Sequence, residues 1–181
     1  MHHKKILGKD KYVFKNYSAI YSHAFSREKP KLYAGLGREN VVIEHVGSTA
    51  VPGLGGKNIL DIIVGLKKGK REAVKRKICE LGYDFVSTAG SRNRLFFVKD
   101  EIYKGKSIRV HLHLVKFQGC EWRKNIAFRD YLIGHKDAVL EYARIKKIAV
   151  KEAKGSKEKY MTAKEKFIIS ITNKALKINY R

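Results

Sequence analysis

The sequence predicts an α+β (or α/β) domain in which a mixed β-sheet is flanked by helices and the C-terminal third is helical. Three observations indicate this class. Apolar residues recur at helical spacing near both ends of the chain, strand-like apolar runs occupy the middle, and one helical segment divides those strands into two groups. The 181 residues suit one domain spanning 1–181, because no repeat or linker divides them.

The first half of the chain is predicted to begin with a helix over residues 17–36, where apolar positions fall three or four apart. Pro30 is expected to kink or restart this helix, and Gly37 suits its C-terminal cap. A strand follows at 41–46. A loop of small residues then leads to a strand at 58–64 that is apolar on both faces, which predicts a central place in the sheet.

The second half is predicted to contain a helix, three strands and three further helices. The helix at 70–81 has one apolar and one basic side, and Gly82 ends it. The remaining strands are predicted at 83–86, 94–99 and 107–117, and the remaining helices at 119–133, 136–152 and 157–178. Period-two alternation in the last strand places Val110, Leu112 and Leu114 on one face and Arg109, His111, His113 and Val115 on the other.

The charge of the chain is strongly positive. Lys and Arg number 40 and Asp and Glu 17, which gives a net charge of +23. Lysine far outnumbers arginine and is spread along the whole chain, which is typical of a solvated basic surface rather than of a nucleic-acid interface. A field of this sign also attracts small anions, so a nucleotide or other phosphorylated small molecule is the favoured partner.

Several other classes are not expected. Apolar runs are far shorter than the ~20 residues of a membrane span, so no membrane partner is predicted. The basic residues 1–5 lead into no apolar segment, so no secretory signal is expected. Cys79 and Cys120 are too widely spaced to suggest a metal-ligand pair or a disulfide scaffold, and we therefore predict a cytoplasmic location.

The loop after the strand at 41–46 is the first candidate for a site. Gly47 lets the backbone approach a ligand closely, and Ser48 and Thr49 add hydroxyls that hold phosphate oxygens. The alternative is a tight turn with no ligand. The spacing is not that of a P-loop.

Asp61 is the second candidate, because a carboxylate inside an apolar strand is costly unless it is paired or metal-bound. The functional interpretation is a ligand for Mg²⁺ or Mn²⁺ shared with substrate phosphates. The structural alternative is an aspartate that caps the glycine loop or pairs with Lys57 or Arg109.

The polar face of the strand at 107–117 is the third candidate. Arg109, His111 and His113 share this face, and two imidazoles beside a guanidinium suit phosphate contact, proton transfer or metal binding. Lys57 lies at the junction of loop and strand, where its ammonium can reach phosphate, and Arg94 is expected to line the same opening.

The segment 43–54, followed by Lys57 and by residues 59–62, resembles the signature of the GrpB family. The resemblance extends from about residue 12 to about residue 170 and includes later matches at Arg109, His111, Leu112, His113, Trp122, residues 128–132, residues 141–143, Lys146, Tyr160, Lys164, Phe167 and Ile168.

This resemblance implies a nucleotidyltransferase-like fold, in which a Gly-Ser turn holds a nucleoside triphosphate and acidic residues on neighbouring strands hold two metals. It implies that Ser48 and the loop amides, with Gly47 and Thr49, hold phosphates. It further implies that Asp61 binds the metal. Three more roles follow: His113, with His111 beside it, supplies a metal ligand or a base, while Lys57 and Arg109 neutralise charge.

One position departs from the family pattern. Ile63 stands where a second carboxylate is expected, so a full two-metal site is not predicted.

Three functions stay open: a nucleotidyltransferase with one divalent metal held by Asp61 and His113, a nucleotide-binding module without catalysis, and an RNA-associated protein. The sequence does not predict the oligomeric state. The sequence predicts a structural ion pair between Arg129 and Asp130. It also predicts that Trp122, Tyr142 and Tyr160 are buried in the core.

Overall fold

A computed structural model describes residues 14–57 and 59–178. Five strands and five helices follow one another as α1 Ile20–Leu36, β1 Val41–Val46, β2 Ile59–Leu66, α2 Arg71–Glu80, β3 Asp84–Phe85, β4 Arg94–Tyr103, β5 Lys106–Lys116, α3 Cys120–Gly134, α4 Lys136–Ala153 and α5 Lys157–Ile178. Single 3-10 turns occur at Ser48–Ala50 and Ser87–Ala89.

The strands form one mixed sheet in the order β1-β2-β5-β4-β3. The two central strands, β2 and β5, run parallel, and every other neighbouring pair is antiparallel. Ile62 and Val64 of β2 and Leu112 of β5 are fully buried, which confirms the central position predicted for the apolar strand.

Helices cover both faces of the sheet. On one face α1 and α2 pack against the alternate apolar residues of the central strands, and this is the main core. On the other face Trp122 of α3 packs against Val46, Ile63 and Val115. The helices α4 and α5 pack mainly on each other and on α3, so the C-terminal third forms a second layer on this face.

The predicted fold class is confirmed, with small differences at the ends of elements. The first helix begins at Ile20, three residues later than predicted, and continues through Pro30 as one helix. Of the two effects predicted for Pro30, a kink or a restart, the restart does not occur. Burial of Leu32 and Leu36 beyond the proline anchors the second part of α1 in the core. Gly37 ends the helix with φ 85° and donates its N–H to the Tyr33 carbonyl, as predicted.

Two other predicted segments differ from the structure or lie outside the described residues. The strand predicted at 83–86 is only two residues long, because the N–H of Tyr83 bonds the Ile78 carbonyl of α2 and Ser87 begins a 3-10 turn. Asn58 and the basic residues 1–5 lie outside the described residues. Within residues 14–57 and 59–178, no helix is both long and apolar enough to cross a membrane.

Candidate functional site

The Gly-Ser loop, Asp61 and the two histidines of β5 meet on the face of the sheet that carries α3, α4 and α5. Val46 pairs with Asp61, and Asp61 pairs with His111, so the end of β1, the start of β2 and the middle of β5 lie side by side. The loop 47–57 leaves β1 at this point. We use "the lysine cluster" for the residues that gather here: Gly47, Ser48, Gly55, Gly56, Lys57, Asp61, His111, His113, Lys146 and Lys164.

The loop is held in place by apolar anchors. Val51 and Leu54 are almost completely buried in a second core built from the C-terminal helices, against Leu132, Val139, Tyr142 and Phe167. The backbone of Gly56 pairs with that of Lys15 in both directions at 2.8 Å. A loop rich in glycine is therefore ordered by tertiary contacts and not by its own propensity.

Thr49 is an internal brace of the loop. Its hydroxyl donates to the Ile59 carbonyl at 2.9 Å and lies 3.0 Å from Nε2 of His45. Because the single hydroxyl proton is already used, His45 must donate from Nε2 to the threonine oxygen. Burial, opposed by the charge of Asp61, lowers the pKa of His45 to about 4, so the imidazole is neutral.

Gly47 is required by both its conformation and its neighbour. Its φ of 72° lies in the left-handed region that side chains rarely adopt. A Cβ at this position would lie 2.4 Å from Oδ2 of Asp61. The backbone of the turn thus sits directly on the carboxylate, in agreement with the predicted closeness of the Gly-Ser turn and Asp61.

Asp61 faces two imidazoles. Its Oδ1 lies 3.4 Å from Nδ1 of His111 and 3.8 Å from Nε2 of His113, with 24% of the aspartate side chain exposed. Burial alone would raise the pKa of Asp61, but the two histidines outweigh it and hold that pKa below its usual range. Asp61 is therefore ionised at neutral pH.

The structure excludes one of the alternatives for Asp61. Arg109 forms a two-bond ion pair with Asp100 of the neighbouring strand, at 2.8 and 2.6 Å, so it does not pair with Asp61. This pair is half-exposed and lies two residues along β5 from His111.

Phe96 of β4 orients the histidine pair. Its ring lies 4.9 Å from the ring of His111, edge to face, and 5.2 Å from that of His113. Nδ1 of His113 is buried without a hydrogen-bond partner among the described residues. This nitrogen is a polar group that the protein itself leaves unsatisfied.

Two lysines of the C-terminal helices complete the cluster. Lys146 of α4 is 2% exposed and donates a hydrogen bond to the Gly55 carbonyl. Lys164 of α5 is 8% exposed, and its ammonium lies 4.1 Å from the centre of the Tyr160 ring. Lys57 approaches the same ring at 4.9 Å. Among the described residues, neither Lys146 nor Lys164 forms an ion pair with a carboxylate.

Burial perturbs both ammonium groups. Loss of hydration, with the nearby charge of Lys164, lowers the pKa of Lys146 to about 7, although the charge of Asp61 opposes this. Burial and Lys57 likewise lower the pKa of Lys164 to about 8. The cluster is thus a region where positive charge is held at a cost in free energy.

Lys146 and Lys164 are part of the family resemblance, but their sequence positions alone did not predict a role for them. A signal was present, because Lys146 occupies a position in the apolar stripe of α4 whose other members are Val139, Tyr142, Ala149 and Ala153. A lysine on the buried stripe of an amphipathic helix is unusual and marks a functional candidate. The sequence does not show which surface this stripe packs against, because that depends on the tertiary structure.

Other predicted residues lie beside the cluster or have structural roles. Arg94 pairs across the sheet with Val115, two residues beyond His113 in β5, so it lies about 7 Å along the strand from the nearer histidine of the cluster. Arg129 does pair with Asp130, at 2.7 Å, and also bonds Glu44 at 2.8 Å. Trp122, Tyr142 and Tyr160 are all buried, as predicted.

The residues present do not fit a two-metal centre. Ile63, two positions after Asp61, is fully buried against Trp122. In the part of the chain that the structure describes, no group of three or more His, Cys, Asp and Glu side chains is arranged to hold a metal. Positive charge beside Asp61 comes instead from lysines. A single Mg²⁺ or Mn²⁺ at Asp61 and His113 stays a prediction.

Comparison with known proteins finds relatives over most of the chain. A "Glutamate-rich protein GrpB" of Alkalihalophilus pseudofirmus is 28% identical over 169 residues, which cover 92% of this chain and 97% of that protein. The "UPF0157 protein PA4798" of Pseudomonas aeruginosa is 31% identical over 153 residues, covering 84% of this chain and 62% of that protein.

The fold comparison agrees with the sequence comparison. The crystal structure of the conserved protein GrpB from Enterococcus faecalis superimposes with a TM-score of 0.79 at 27% identity, and the match covers 93% of this chain and all of that one. The family model for the GrpB protein matches residues 12–174, which include both the loop and the buried lysines. The chain therefore belongs to the GrpB family.

Proposed function

We propose that this protein binds the phosphates of a nucleoside triphosphate at the lysine cluster. The observation that carries the proposal is the pair of buried ammonium groups, Lys146 and Lys164, which have no carboxylate partner among the described residues. Lys146 bonds the Gly55 carbonyl of the loop, and Lys164 shares the Tyr160 ring with Lys57 at the end of the loop. A buried cation without a counter-ion is costly, and an anionic ligand removes that cost.

The surrounding groups suit a phosphate chain. Ser48 and Lys57 are half-buried and form the accessible side of the cluster, while Lys146 and Lys164 form its buried side. A Cβ on Gly56 would lie 2.7 Å from Oγ of Ser48 and 3.3 Å from Nζ of Lys146, so the serine and the lysine flank the same stretch of backbone. Lysine is a common point-charge ligand of phosphate.

Transfer of the nucleotidyl group is the finer part of the proposal, and Asp61 with its two imidazoles favours it. The oxygen of an acceptor attacks the α-phosphorus, the bond to the bridging oxygen breaks, and pyrophosphate leaves. His113 takes the proton of the acceptor, and Asp61 stabilises the imidazolium that forms. Lys146 and Lys164 neutralise the charge that develops on the leaving pyrophosphate.

The binding proposal is tested by calorimetry with ATP, in the presence of Mg²⁺ and in the presence of a chelator. We expect Lys146→Met and Lys164→Met each to weaken ATP binding by about tenfold or more. The matched control is Lys151→Met, an exposed lysine on the same helix, which should bind ATP as the wild type does. The binding proposal is wrong if the wild type does not bind ATP or if Lys146→Met binds it equally well.

The stability of the same variants separates binding from folding. Methionine has a similar shape to lysine and needs no hydration, so we expect Lys146→Met to be at least as stable as the wild type. The wild type should gain free energy of unfolding relative to this variant as pH rises from about 7 toward the usual lysine pKa of 10.5, because the unfolded chain binds the extra proton. Urea unfolding across this range measures the difference.

Pyrophosphate release with a panel of acceptors tests the transfer step. Release that is lost in Asp61→Asn while ATP binding is kept identifies a transferase, and binding without any release identifies a non-catalytic module. Retention of RNA that falls steeply with salt, together with no response to ATP, indicates an RNA-associated protein instead.

A further inference from the structure

A second crevice lies at the opposite end of the central strands. After Leu66 the chain leaves β2 toward α2 on one face of the sheet, and after Lys116 it leaves β5 toward α3 on the other face. β2 and β5 are adjacent and parallel, so the chain departs in opposite directions from neighbouring carboxyl ends. In open α/β sheets this arrangement creates the crevice in which ligands bind.

The crevice is a cavity of about 450 Å³ with a basic lining. Four cationic side chains, Lys67, Lys68, Arg71 and Lys116, line it against one carboxylate, Glu121. Arg71 donates from Nη1 to the Arg92 carbonyl at 2.6 Å, which fixes the guanidinium, while its Nη2 is buried and has no partner in the described part of the chain. A buried donor left unsatisfied by the protein is available to a ligand.

Two helices begin at this cavity. The capping residues of α2 and α3 are Lys70 and Gly119, and neither helix has a side-chain cap, so the amides of their first turns are not satisfied by capping side chains. Arg71, Cys120 and Glu121, the first residues of the two helices, line the cavity. The positive ends of both helix dipoles therefore add to the positive potential that the basic side chains produce in the cavity.

We infer that this crevice, the far pocket, is a second site that binds the phosphoryl group of a small phosphorylated molecule. Arg71 and the first-turn amides of α2 and α3 would hold the phosphoryl oxygens, and Lys67 and Lys116 would balance the charge. Leu66, at the β2 side of the pocket, lies five residues along the strand from Asp61, about 16 Å away. No residue that lines the pocket belongs to the lysine cluster, so the inference does not depend on the function proposed for that cluster.

The concave shape favours a small molecule over an extended polyanion. A cavity of this volume lies in the range of sites that enclose metabolites. A nucleic-acid strand instead tracks basic side chains along an open groove.

Titration of isotope-labelled protein with ribose 5-phosphate, followed by amide NMR, tests the far pocket residue by residue. We expect saturable shifts at Arg71, Glu72, Cys120 and Glu121. Arg71→Met should raise the Kd by about tenfold. The matched control is Arg76→Met, an exposed arginine on the same helix that does not line the cavity and should leave the Kd unchanged.

A second variant, expected to bind more tightly, keeps the inference testable if Arg71→Met does not fold. Glu121→Gln removes the one carboxylate of the lining, so we expect the Kd for ribose 5-phosphate to fall by about twofold to threefold. The inference is overturned if the shifts do not saturate, if Arg76→Met weakens binding as much as Arg71→Met, or if the shifts centre on the lysine cluster. It is also overturned if a single-stranded oligonucleotide binds more tightly and shifts amides across the whole basic surface.

Discussion

His45 and Lys146 are both buried titratable side chains, but the protein treats them differently. His45 donates to Thr49, which donates to the Ile59 carbonyl, so its polar atom has a partner inside the fold. Lys146 has the Gly55 carbonyl and the face of the Tyr142 ring, 4.6 Å away, to offset the burial of its ammonium group, and it has no carboxylate partner among the described residues. At the scale of single residues, the first is a structural brace, and the second is a position at which we propose that an anion binds.

The neutral state of His45 predicts a loss of stability in mild acid. Its pKa rises from about 4 in the folded protein to 6.5 in the unfolded chain, so the unfolded chain binds more protons as pH falls between these values. We expect the free energy of unfolding to drop by about 2 kcal/mol between pH 6.5 and 4.5. Urea unfolding of the wild type and of His45→Gln measures this drop, which the variant should lack.

The exposed His23 provides the control, because His23→Gln should keep the acid sensitivity of the wild type. Stability that is flat over this pH range in the wild type would show that His45 does not titrate as inferred. The window stops at pH 4.5 because the buried Glu28, bonded to Lys31, Lys99 and Tyr83, has a lowered pKa and contributes below its usual value of 4.5.

At the scale of elements, α1 shows tertiary packing overriding local propensity. Pro30 lies eleven residues into the helix, where it has no N–H to donate to the carbonyl four residues before. The helix nevertheless continues because Leu32 and Leu36, beyond the proline, and Tyr21 and Ala24, before it, are buried in the same core. Burial of these side chains offsets the cost of the proline.

Replacing the proline should therefore stabilise the protein. Pro30 is exposed, so Pro30→Ala creates no cavity, and it allows the missing helical hydrogen bond to form. We expect the free energy of unfolding to rise by about 1–2 kcal/mol, less than the full helix-propensity difference because the unfolded chain gains freedom. Chemical denaturation measures the change, and a less stable variant would show that the proline shapes a needed bend in α1.

At the scale of the whole molecule, the net charge of +23 gives the protein a strongly positive electrostatic field. Ion pairs such as Arg109 with Asp100 in the sheet, and Arg129 of α3 with Glu44 of β1, neutralise only a few of the basic side chains. The remaining positive charge repels itself and lowers the stability of the compact state. The same field concentrates anions near both the lysine cluster and the far pocket.

Screening of this repulsion should stabilise the protein. We expect the thermal unfolding midpoint to rise by several degrees as NaCl increases from about 20 mM to about 300 mM. Circular dichroism at each salt concentration measures the midpoint. A midpoint that falls with salt would mean that attractive pairs outweigh the net repulsion.

Much of the fold was predictable because its elements carry local signals. The helix at 157–178 was predicted with its observed ends, and the two faces of β5 follow from the alternation of Val110, His111, Leu112 and His113. The closeness of Gly47, Asp61 and the histidines followed from the family resemblance. The cross-strand register, which the sequence does not display, puts Arg94 opposite Val115, two residues beyond His113.

The sequence by itself determined the fold class, the family and the basic character of this protein. Periodicity and the long loop motif involve residues close together in the chain, and composition needs no structure at all. Only the tertiary structure decided that Lys146 and Lys164 join the Gly-Ser loop, and that a second basic cavity opens where β2 and β5 end. The reason is physical: burial and the meeting of charges depend on residues far apart in the chain, which come into contact only when the helices pack on the sheet.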